Sequence, residues 1–185
     1  MKKIAILFAI LILASLACQL PSRAAPTEQP TVPVSTEAAG EAESVLATAA
    51  AELRASGKVS VTLTETQLTS YIAQRIAAQP DSPIQDPQVI LQNGEIEITG
   101  KAKVGILSAN ASIILEPYAD NGNLRVNIRG AKFGSVPVPD ATIESLSQTL
   151  NQNLNDLITI QGEKFYLETI AIADGTLTLS GTLQK

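Results

Sequence analysis

Acidic side chains come nearest to a catalytic arrangement in this sequence. Glu95 and Glu97 alternate along one predicted strand, and paired carboxylates can carry out general acid and base chemistry. Their phase is opposite to that of Ile96 and Ile98, so we expect both carboxylates on the water-facing side of a sheet, where they stay solvated. The sequence contains no histidine. This excludes a histidine-based triad, a histidine-ligated metal and a histidine general base.

Metal and nucleotide sites have no clear signature either. The segment YADNGN offers oxygen atoms from Asp120, Asn121 and Asn123, but the spacing of an EF-hand calcium loop is absent. A glycine-rich phosphate loop that ends in lysine is also absent. Asp140 and Asp174 fall at predicted cap and turn positions, which explains them by local geometry. We therefore predict no catalytic residues, no bound metal, no cofactor and no enzymatic activity.

Cys18, the single cysteine, lies where it could carry a covalent modification. The chain starts MKKIAILFAILILASLACQ, in which two lysines precede an apolar run over residues 4–13. This run is too short to span a bilayer and is typical of a signal-peptide core. Its end, ASLAC, resembles the lipobox of bacterial lipoproteins, although Ser15 stands where leucine is most usual. That resemblance implies a signal peptide over residues 1–17 and a diacylglycerol anchor on Cys18.

An ordinary secretory signal, or an uncleaved anchor with Cys18 incidental, is the alternative interpretation. The lipobox explains why the sequence has one cysteine and no partner for a disulfide. It predicts an extracytoplasmic protein that its acyl chains, palmitate included, hold at the cell membrane or at the periplasmic face of an outer membrane. Gln19 follows Cys18, so the aspartate that tends to retain lipoproteins at an inner membrane is absent.

Charge and composition limit the partners of the protein. The formal net charge of the 185 residues is −5, and removal of the signal would take away Lys2 and Lys3 without any acidic residue. An acidic chain without a dense basic run argues against nucleic acid as a partner. Aromatic residues make up only 3% of the sequence, so the core has to be built from aliphatic side chains.

Shifts in composition divide the chain into an anchor region, a linker and a domain. Residues 18–40 are rich in proline, threonine and alanine and cannot bury a core, which predicts a lipid-anchored linker. Residues 41–56 have strong helix propensity and a thin alanine-rich apolar stripe, which predicts a stem helix that lies on the domain. The domain itself is predicted over residues 57–185.

Predicted strands alternate with two amphipathic helices in this domain. The first helix follows the strand KVSVTL, and Thr64 with Gln67 gives a capping-box pattern at its start. The segment QPDSPIQDP is predicted to be a loop, and Asp140 is the expected N-cap of the second helix. The runs SANASIILEPY and LRVNIRGAKFG alternate apolar with polar residues. This alternation predicts strands with one dry and one wet face.

One hairpin pattern occurs twice, as VILQNGEIEITG and as IAIADGTLTLSG. Asn93-Gly94 and Asp174-Gly175 predict tight two-residue turns, in which glycine supplies a positive φ. Each pattern also follows a predicted helix. We therefore expect an α+β fold with a long curved antiparallel sheet, two amphipathic helices on its apolar face, and pseudo-duplicated halves. Coincidence is the alternative, because Asn-Gly hairpins are common.

Two segments, VSVTLTETQLTSYIAQRI and GAKFGSVPVPDATIESLSQTL, resemble segments of the YpmS-like bacterial proteins. In that family an anchored extracytoplasmic domain opens with a Leu-Thr-Glu-x-x-Leu helix start, and a Gly-x-(Val/Leu/Ile)-Pro-(Val/Leu)-Pro segment later leads into a helix. The chain is similar, more distantly, to LmeA-type envelope proteins, which resemble tubular lipid-binding domains of the bactericidal/permeability-increasing type. This resemblance covers about residues 58–183 and implies a curved sheet around a long helix, with an apolar groove.

The resemblance and the aliphatic faces together predict that the domain binds a lipid or another apolar envelope molecule. The alternative is a structural or interaction lipoprotein with a fully packed core and no ligand. The wet face carries the basic residues Lys101, Lys103, Arg125, Arg129 and Lys132. Two interpretations stay open for them: a binding site for anionic groups, or an ordinary solvated surface. The candidate ligand contacts are Leu68, Ile72, Ile76, Ile113, Leu115, Val126, Ile128, Ile143, Leu146, Leu150 and Leu154.

Overall fold

The computed structural model describes residues 31–79, 82, 84–157, 159–160 and 163–183. Cys18, the predicted signal peptide and most of the predicted linker lie outside these ranges. The described residues have an α+β fold, as predicted, with three helices and two antiparallel sheets. The helices are α1 (Thr36–Ser56), α2 (Glu65–Ala77) and α3 (Asp140–Leu157). The strands are β1 (Lys58–Thr64), β2 (Ile84–Gln92), β3 (Glu95–Val104), β4 (Leu107–Asp120), β5 (Asn123–Phe133), β6 (Val136–Pro137), β7 (Thr159–Ile160), β8 (Glu163–Ala173) and β9 (Thr176–Leu183).

Local capping sets where the helices begin. Helix α1 starts at Thr36 rather than at the predicted residue 41, because the Ser35 side chain accepts a hydrogen bond from the Ala38 amide at 3.1 Å and caps the helix. The capping box of α2 is present, with both reciprocal hydrogen bonds between Thr64 and Gln67. Asp140 is the first residue of α3 rather than its N-cap, since the carbonyl of the preceding proline accepts the first helical hydrogen bonds.

The strands form two sheets, which corrects the expectation of one long sheet. A four-stranded sheet has the order β1-β9-β8-β7, and a five-stranded sheet has the order β2-β3-β4-β5-β6. The first sheet joins the N-terminal strand to the C-terminal hairpin, with Val61 opposite Leu179. The second is built from consecutive strands between residues 84 and 137. There are two sheets rather than one because β1 pairs with β9 and not with the β2–β3 hairpin that follows it in the chain.

The two similar hairpins have the same register. Leu91 lies opposite Ile96 in the first, and Ile172 lies opposite Leu177 in the second, 81 positions later in each case. Both turns are the predicted two-residue turns, with positive φ at both central residues. Each first strand also has a bulge at the corresponding place, between Gln85 and Gln88 or between Leu167 and Thr169. Curvature of a sheet and duplication of whole halves stay predictions.

The two hairpins pack face to face through equivalent positions. Val89 and Leu91 of the first hairpin form a buried cluster with Ile172 and Leu177 of the second. A second cluster joins α1 to β1 through Ala42, Ala49, Val61 and Leu63. Leu68 of α2 packs against both clusters. Helix α2 therefore connects the two halves of an aliphatic core, as expected from the low aromatic content.

Polar side chains of two helices close both long edges of the five-stranded sheet. The Thr69 hydroxyl of α2 accepts a hydrogen bond from the Val89 amide at 2.9 Å, and the Glu65 carboxylate accepts one from the Leu91 amide at 2.6 Å. On the other edge, the Asn151 amide of α3 accepts from the Val126 N–H and donates to the Val126 carbonyl, both at 2.9 Å. These side chains satisfy backbone groups that a neighbouring strand would otherwise pair.

Helices α2 and α3 therefore have different neighbours. Helix α2 packs against α1 and β2, whereas α3 packs against β5 and β7. The expected arrangement, with both helices on one apolar face of one sheet, is wrong in this respect. The physical reason lies in Thr69 and Asn151, which place each helix along a sheet edge.

Candidate functional site

A cleft of about 710 Å³ lies where α2 and β2 separate. Its walls come from three segments: residues 34–39 at the start of α1, the second half of α2 with Ala73 and Ile76, and residues 84–88 of β2. The volume falls within the range of about 300–1,000 Å³ that is typical of small-molecule sites. The cleft is therefore large enough for a lipid acyl chain or a ligand of similar size.

A β-bulge opens this cleft. Thr69 and Glu65 hold the first half of α2 against the last residues of β2. Earlier in β2 the pairing with β3 shifts between Gln85 and Gln88, and Asp86 has a φ of 49°. A bulge bends the strand that contains it. The start of β2 consequently leaves the helix, and the gap between Ile76 and residues 84–88 is the cleft.

Gly100 permits the bulge. It lies on β3 opposite the bulged residues, and a Cβ at this position would be 2.9 Å from the Gln85 carbonyl oxygen. Such a distance is shorter than van der Waals contact allows, so the backbone of β2 can approach β3 here only because the residue is glycine. The close approach fixes the wall formed by Gln85–Gln88.

Two side-chain hydrogen bonds hold the segment before α1 at the cleft. The Ser70 hydroxyl accepts from the Ser35 amide at 3.1 Å, and the Gln88 side-chain oxygen accepts from the Val32 amide at 2.6 Å. Ser70 is 1% exposed, so its bond is protected from water. Residues 32–35 thus form a fixed wall, and Val34, which is 54% exposed, lies at the mouth.

The lining is almost free of charge. Among the described residues around the cleft, Asp86 is the one charged side chain, and its carboxylate accepts a hydrogen bond from Lys101 Nζ at 2.9 Å. This hydrogen bond, together with the negative charge of Asp86, raises the pKa of Lys101 above its ordinary value. The ammonium group therefore stays protonated at neutral pH and compensates Asp86. A neutral lining of serine, glutamine and aliphatic groups suits an uncharged or acyl ligand.

The predicted ligand contacts are distributed over different parts of the fold. Ile76 lines the cleft, whereas Leu68 and Ile72 pack against the buried core. Val126 is buried and Leu146 is 44% exposed. The remaining candidates are half-buried and lie outside the cleft: Ile113, Leu115, Ile128, Ile143, Leu150 and Leu154. The predicted contacts are thus not gathered in one groove, and only Ile76 of the set faces this cleft.

Within the described part of the chain, some basic residues of the wet face form ion pairs with nearby carboxylates, and others do not. Arg129 lies 3.9 Å from both Glu95 and Glu116, and Arg125 lies 3.9 Å from Asp120. Exposed pairs at this distance contribute little stability but do compensate charge. With Lys101 bound to Asp86, these contacts favour the interpretation of a solvated face. Lys103 and Lys132 form no ion pair with any side chain that the structure describes.

The candidate acids do not gather into a reactive group. Within the described ranges, no three histidine, cysteine, aspartate or glutamate side chains come close enough to hold a metal ion. In the YADNGN turn, the Asn121 side chain donates to Asp120 Oδ1 at 2.9 Å, and the Asn123 side chain donates to two backbone carbonyls. The polar groups of this turn therefore satisfy one another.

Sequence reasoning missed most of the cleft. Val34 fell in the predicted linker, and Ile84 and Pro87 fell in the segment predicted to be a loop. A signal was present, since aspartate tolerates positive φ and proline within a strand is typical of a bulge. The pair Asp86-Pro87 between apolar residues could thus have indicated a bulged strand rather than a loop.

Comparison with family models and with curated proteins finds no match to this chain. Among the described helices, none combines the length and the hydropathy that crossing a bilayer requires.

Proposed function

We propose that this protein is a non-enzymatic, membrane-anchored extracytoplasmic lipoprotein that binds a lipid or another apolar envelope molecule in the cleft between α1, α2 and β2. The observation that supports this most is the cleft itself, with its volume of about 710 Å³ and its nearly uncharged lining. The lipobox-like segment that ends at Cys18 supports the anchor.

The alternative, a structural lipoprotein without a ligand, has one observation in its favour. Leu68 and Ile72, which were predicted ligand contacts, pack into the aliphatic core. A core of this kind needs no ligand to complete it. The two functions therefore differ in what occupies the cleft, and a test has to act on the cleft and leave the core unchanged.

Tryptophan at Ala73 provides this test. Ala73 lines the cleft, and the sequence contains no tryptophan, so Ala73→Trp both fills the cleft and introduces a unique fluorophore. Binding of a fluorescent fatty acid should weaken about tenfold or more, which corresponds to about 1.4 kcal/mol. The melting temperature should change little, because an open cleft accommodates the ring.

Ala51→Trp is the matched control, since Ala51 is exposed on α1 and lies outside the cleft. This variant should bind the fatty acid as the unmodified protein does. If the unmodified protein binds no fatty acid and releases no lipid into an organic extract, or if Ala73→Trp binds normally, the ligand-binding function is wrong.

The anchor has its own test. Intact mass measurement of the membrane-extracted protein should show a chain that begins at Cys18 and carries diacylglycerol, and Cys18→Ser should remove that modification. A soluble unmodified protein cleaved at another position would contradict the anchor without affecting the cleft.

A further inference from the structure

The most exposed large apolar residue of the described chain lies at the tip of the β3–β4 hairpin, next to a second exposed one. Ile106 is 99% exposed and Leu107 is 62% exposed. The two residues are adjacent: Ile106 lies in the turn beyond the last pair of the hairpin, and Leu107 belongs to that pair, opposite Val104. No packing inside the domain explains them, in contrast to single apolar residues scattered over a surface, which are ordinary.

This tip lies at the same end of the five-stranded sheet as the cleft. Ile84, in the cleft wall, pairs with Ala102, and Ala102 pairs with Ala109. Two further residues along the strands reach the tip. Ile84 is itself 42% exposed. Exposed apolar side chains therefore lie both at the hairpin tip and in the cleft wall, where Val34 is also exposed.

Charge and chain connection at this end both favour one kind of partner. Lys103 lies on β3 just behind the tip and forms no ion pair with a described side chain, although the whole chain carries a net charge of −5. The described domain also begins here, because Val32 is bonded to Gln88 in the cleft wall. The thirteen residues from Cys18 to Pro30 precede this point in the sequence and connect it to the proposed lipid anchor.

We infer that the β3–β4 tip, Gly105–Leu107, is a membrane-contacting element that inserts Ile106 and Leu107 into the surface of a bilayer with anionic lipids. Apolar residues enter the acyl boundary while a flanking lysine meets the anionic headgroups, as in other interfacial anchors. The contact brings the mouth of the cleft to the membrane, so that a lipid can pass between bilayer and cleft. This last step rests on the proposed ligand binding, whereas insertion of the tip rests on the exposed residues, on Lys103 and on the proposed anchor at Cys18.

Single-tryptophan variants of the full chain test the insertion. The reporter is Ile106→Trp, and the control is Tyr118→Trp, a 41% exposed position on the same β4 strand. Tyr118 lies eleven residues beyond Leu107 along β4, or roughly 36 Å at ~3.3 Å per residue. Each variant is reconstituted with vesicles of phosphatidylcholine and phosphatidylglycerol whose acyl chains carry bromine, a short-range quencher.

The fluorescence at position 106 should shift to the blue and lose most of its intensity to brominated lipid, while fluorescence at position 118 should do neither. Lys103→Glu in the Ile106→Trp background should reduce the quenching in anionic vesicles. Equal quenching at both positions, or none at position 106, would overturn the inference. So would a blue shift that grows with protein concentration and is insensitive to bromine, because it would assign the tip to a second copy of this chain.

A transfer assay separates this inference from the proposed function. The double variant Ile106→Ser with Leu107→Ser should take up fluorescent fatty acid from vesicles more slowly, with an unchanged affinity for fatty acid supplied in solution. Unchanged uptake would overturn the role of the tip in lipid entry. Quenching at position 106 in a protein that binds no fatty acid would uphold the insertion and refute the ligand-binding function alone.

Discussion

Replacement of Thr69 by valine isolates the energy of one side-chain cap on a sheet edge. Thr69 is 0% exposed, its hydroxyl accepts from the Val89 amide at 2.9 Å, and it donates to the Val89 carbonyl at 3.4 Å. Valine keeps the shape of the side chain but leaves the amide without a partner. A buried unsatisfied donor costs about 1–3 kcal/mol, and the methyl group that replaces the hydroxyl recovers about 0.8 kcal/mol of burial. We expect a net loss of about 1.2 kcal/mol, from the middle of that range less the recovered burial.

Urea denaturation followed by circular dichroism measures this loss. With an m-value of about 2 kcal/mol per M, the midpoint of the Thr69→Val protein should fall by about 0.6 M. Thr66→Val on the same helix is the control. Thr66 is only half-buried, and its side chain forms no hydrogen bond with any residue that the structure describes. Its midpoint should stay within about 0.25 M of the unmodified protein, as for ordinary surface changes.

Amide hydrogen exchange locates the effect on the chain. The Val89 amide should lose protection in Thr69→Val, whereas the Leu91 amide, which donates to Glu65, should lose less. If both threonine variants unfold at the same urea concentration and the Val89 amide stays protected, Thr69 does not close the edge of β2 and the argument for both helical caps fails.

Three further predictions concern the other edge and the glycines. Asn151→Ala removes three hydrogen bonds, of 2.9, 2.9 and 2.8 Å, to backbone groups, so it should lower the unfolding free energy by about 2 kcal/mol. Gln148→Ala, at an exposed site on the same helix, is the control. Equal stability of the two variants would contradict docking of α3 on β5. Gly181→Ala places a Cβ against the Tyr166 carbonyl and the Phe165 ring, so it should lower the unfolding free energy by about 1–3 kcal/mol. Gly130→Ala is the control: a Cβ there meets nothing within 4 Å in the described structure, so thermal denaturation should show a much smaller loss. Gly94→Val and Gly175→Val, at φ of 79° and 75°, should each cost about 1 kcal/mol or more, because valine adopts a positive φ only with strain. Unchanged thermal midpoints would refute the turn assignment.

Features set by neighbouring residues were predictable from the sequence. Asn93-Gly94 and Asp174-Gly175 form the expected turns, because few dipeptides accept two successive positive φ angles. The capping box at Thr64 formed for the same reason, since its two partners lie three residues apart. Alternation of apolar residues also predicted β4 and β5 as strands, and Leu115 pairs with Ile128 across them. Burial along β4 does not alternate, because residues 111–117 are all half-buried, so the expected division into a dry and a wet face is not seen there.

Features that depend on distant contacts were not predictable in this way. Pairing of β1 with β9 joins residues that lie 116 positions apart, such as Thr62 and Thr178, and no local pattern specifies it. Asn151 belongs to a helix face of serine, glutamine and asparagine, which by itself indicates a solvated surface. Its role follows only from the position of Val126, whose backbone groups face the helix.

The cleft combines both kinds of information. Its bulge has a local cause in Asp86-Pro87, but its walls come together because Ser70 and Gln88 bind backbone amides of residues 32–35. The start of α1 illustrates the same difficulty, since proline-rich composition nearby concealed the capping serine at position 35. Site residues drawn from helix stripes alone therefore identified Ile76 and missed the opposite wall.

The pairing of β1 with β9 has a consequence for the order of events when the chain is made. The partner of Lys58–Thr64 is Thr176–Leu183, close to the end of the sequence. Until that last segment is available, neither β1 nor β8 can pair with β9, the strand that lies between them. Closure of so long a loop is also slow. A chain that emerges N-terminus first would thus be unable to complete the first sheet until β9 had emerged, whereas the strands of the five-stranded sheet follow one another and have their partners earlier.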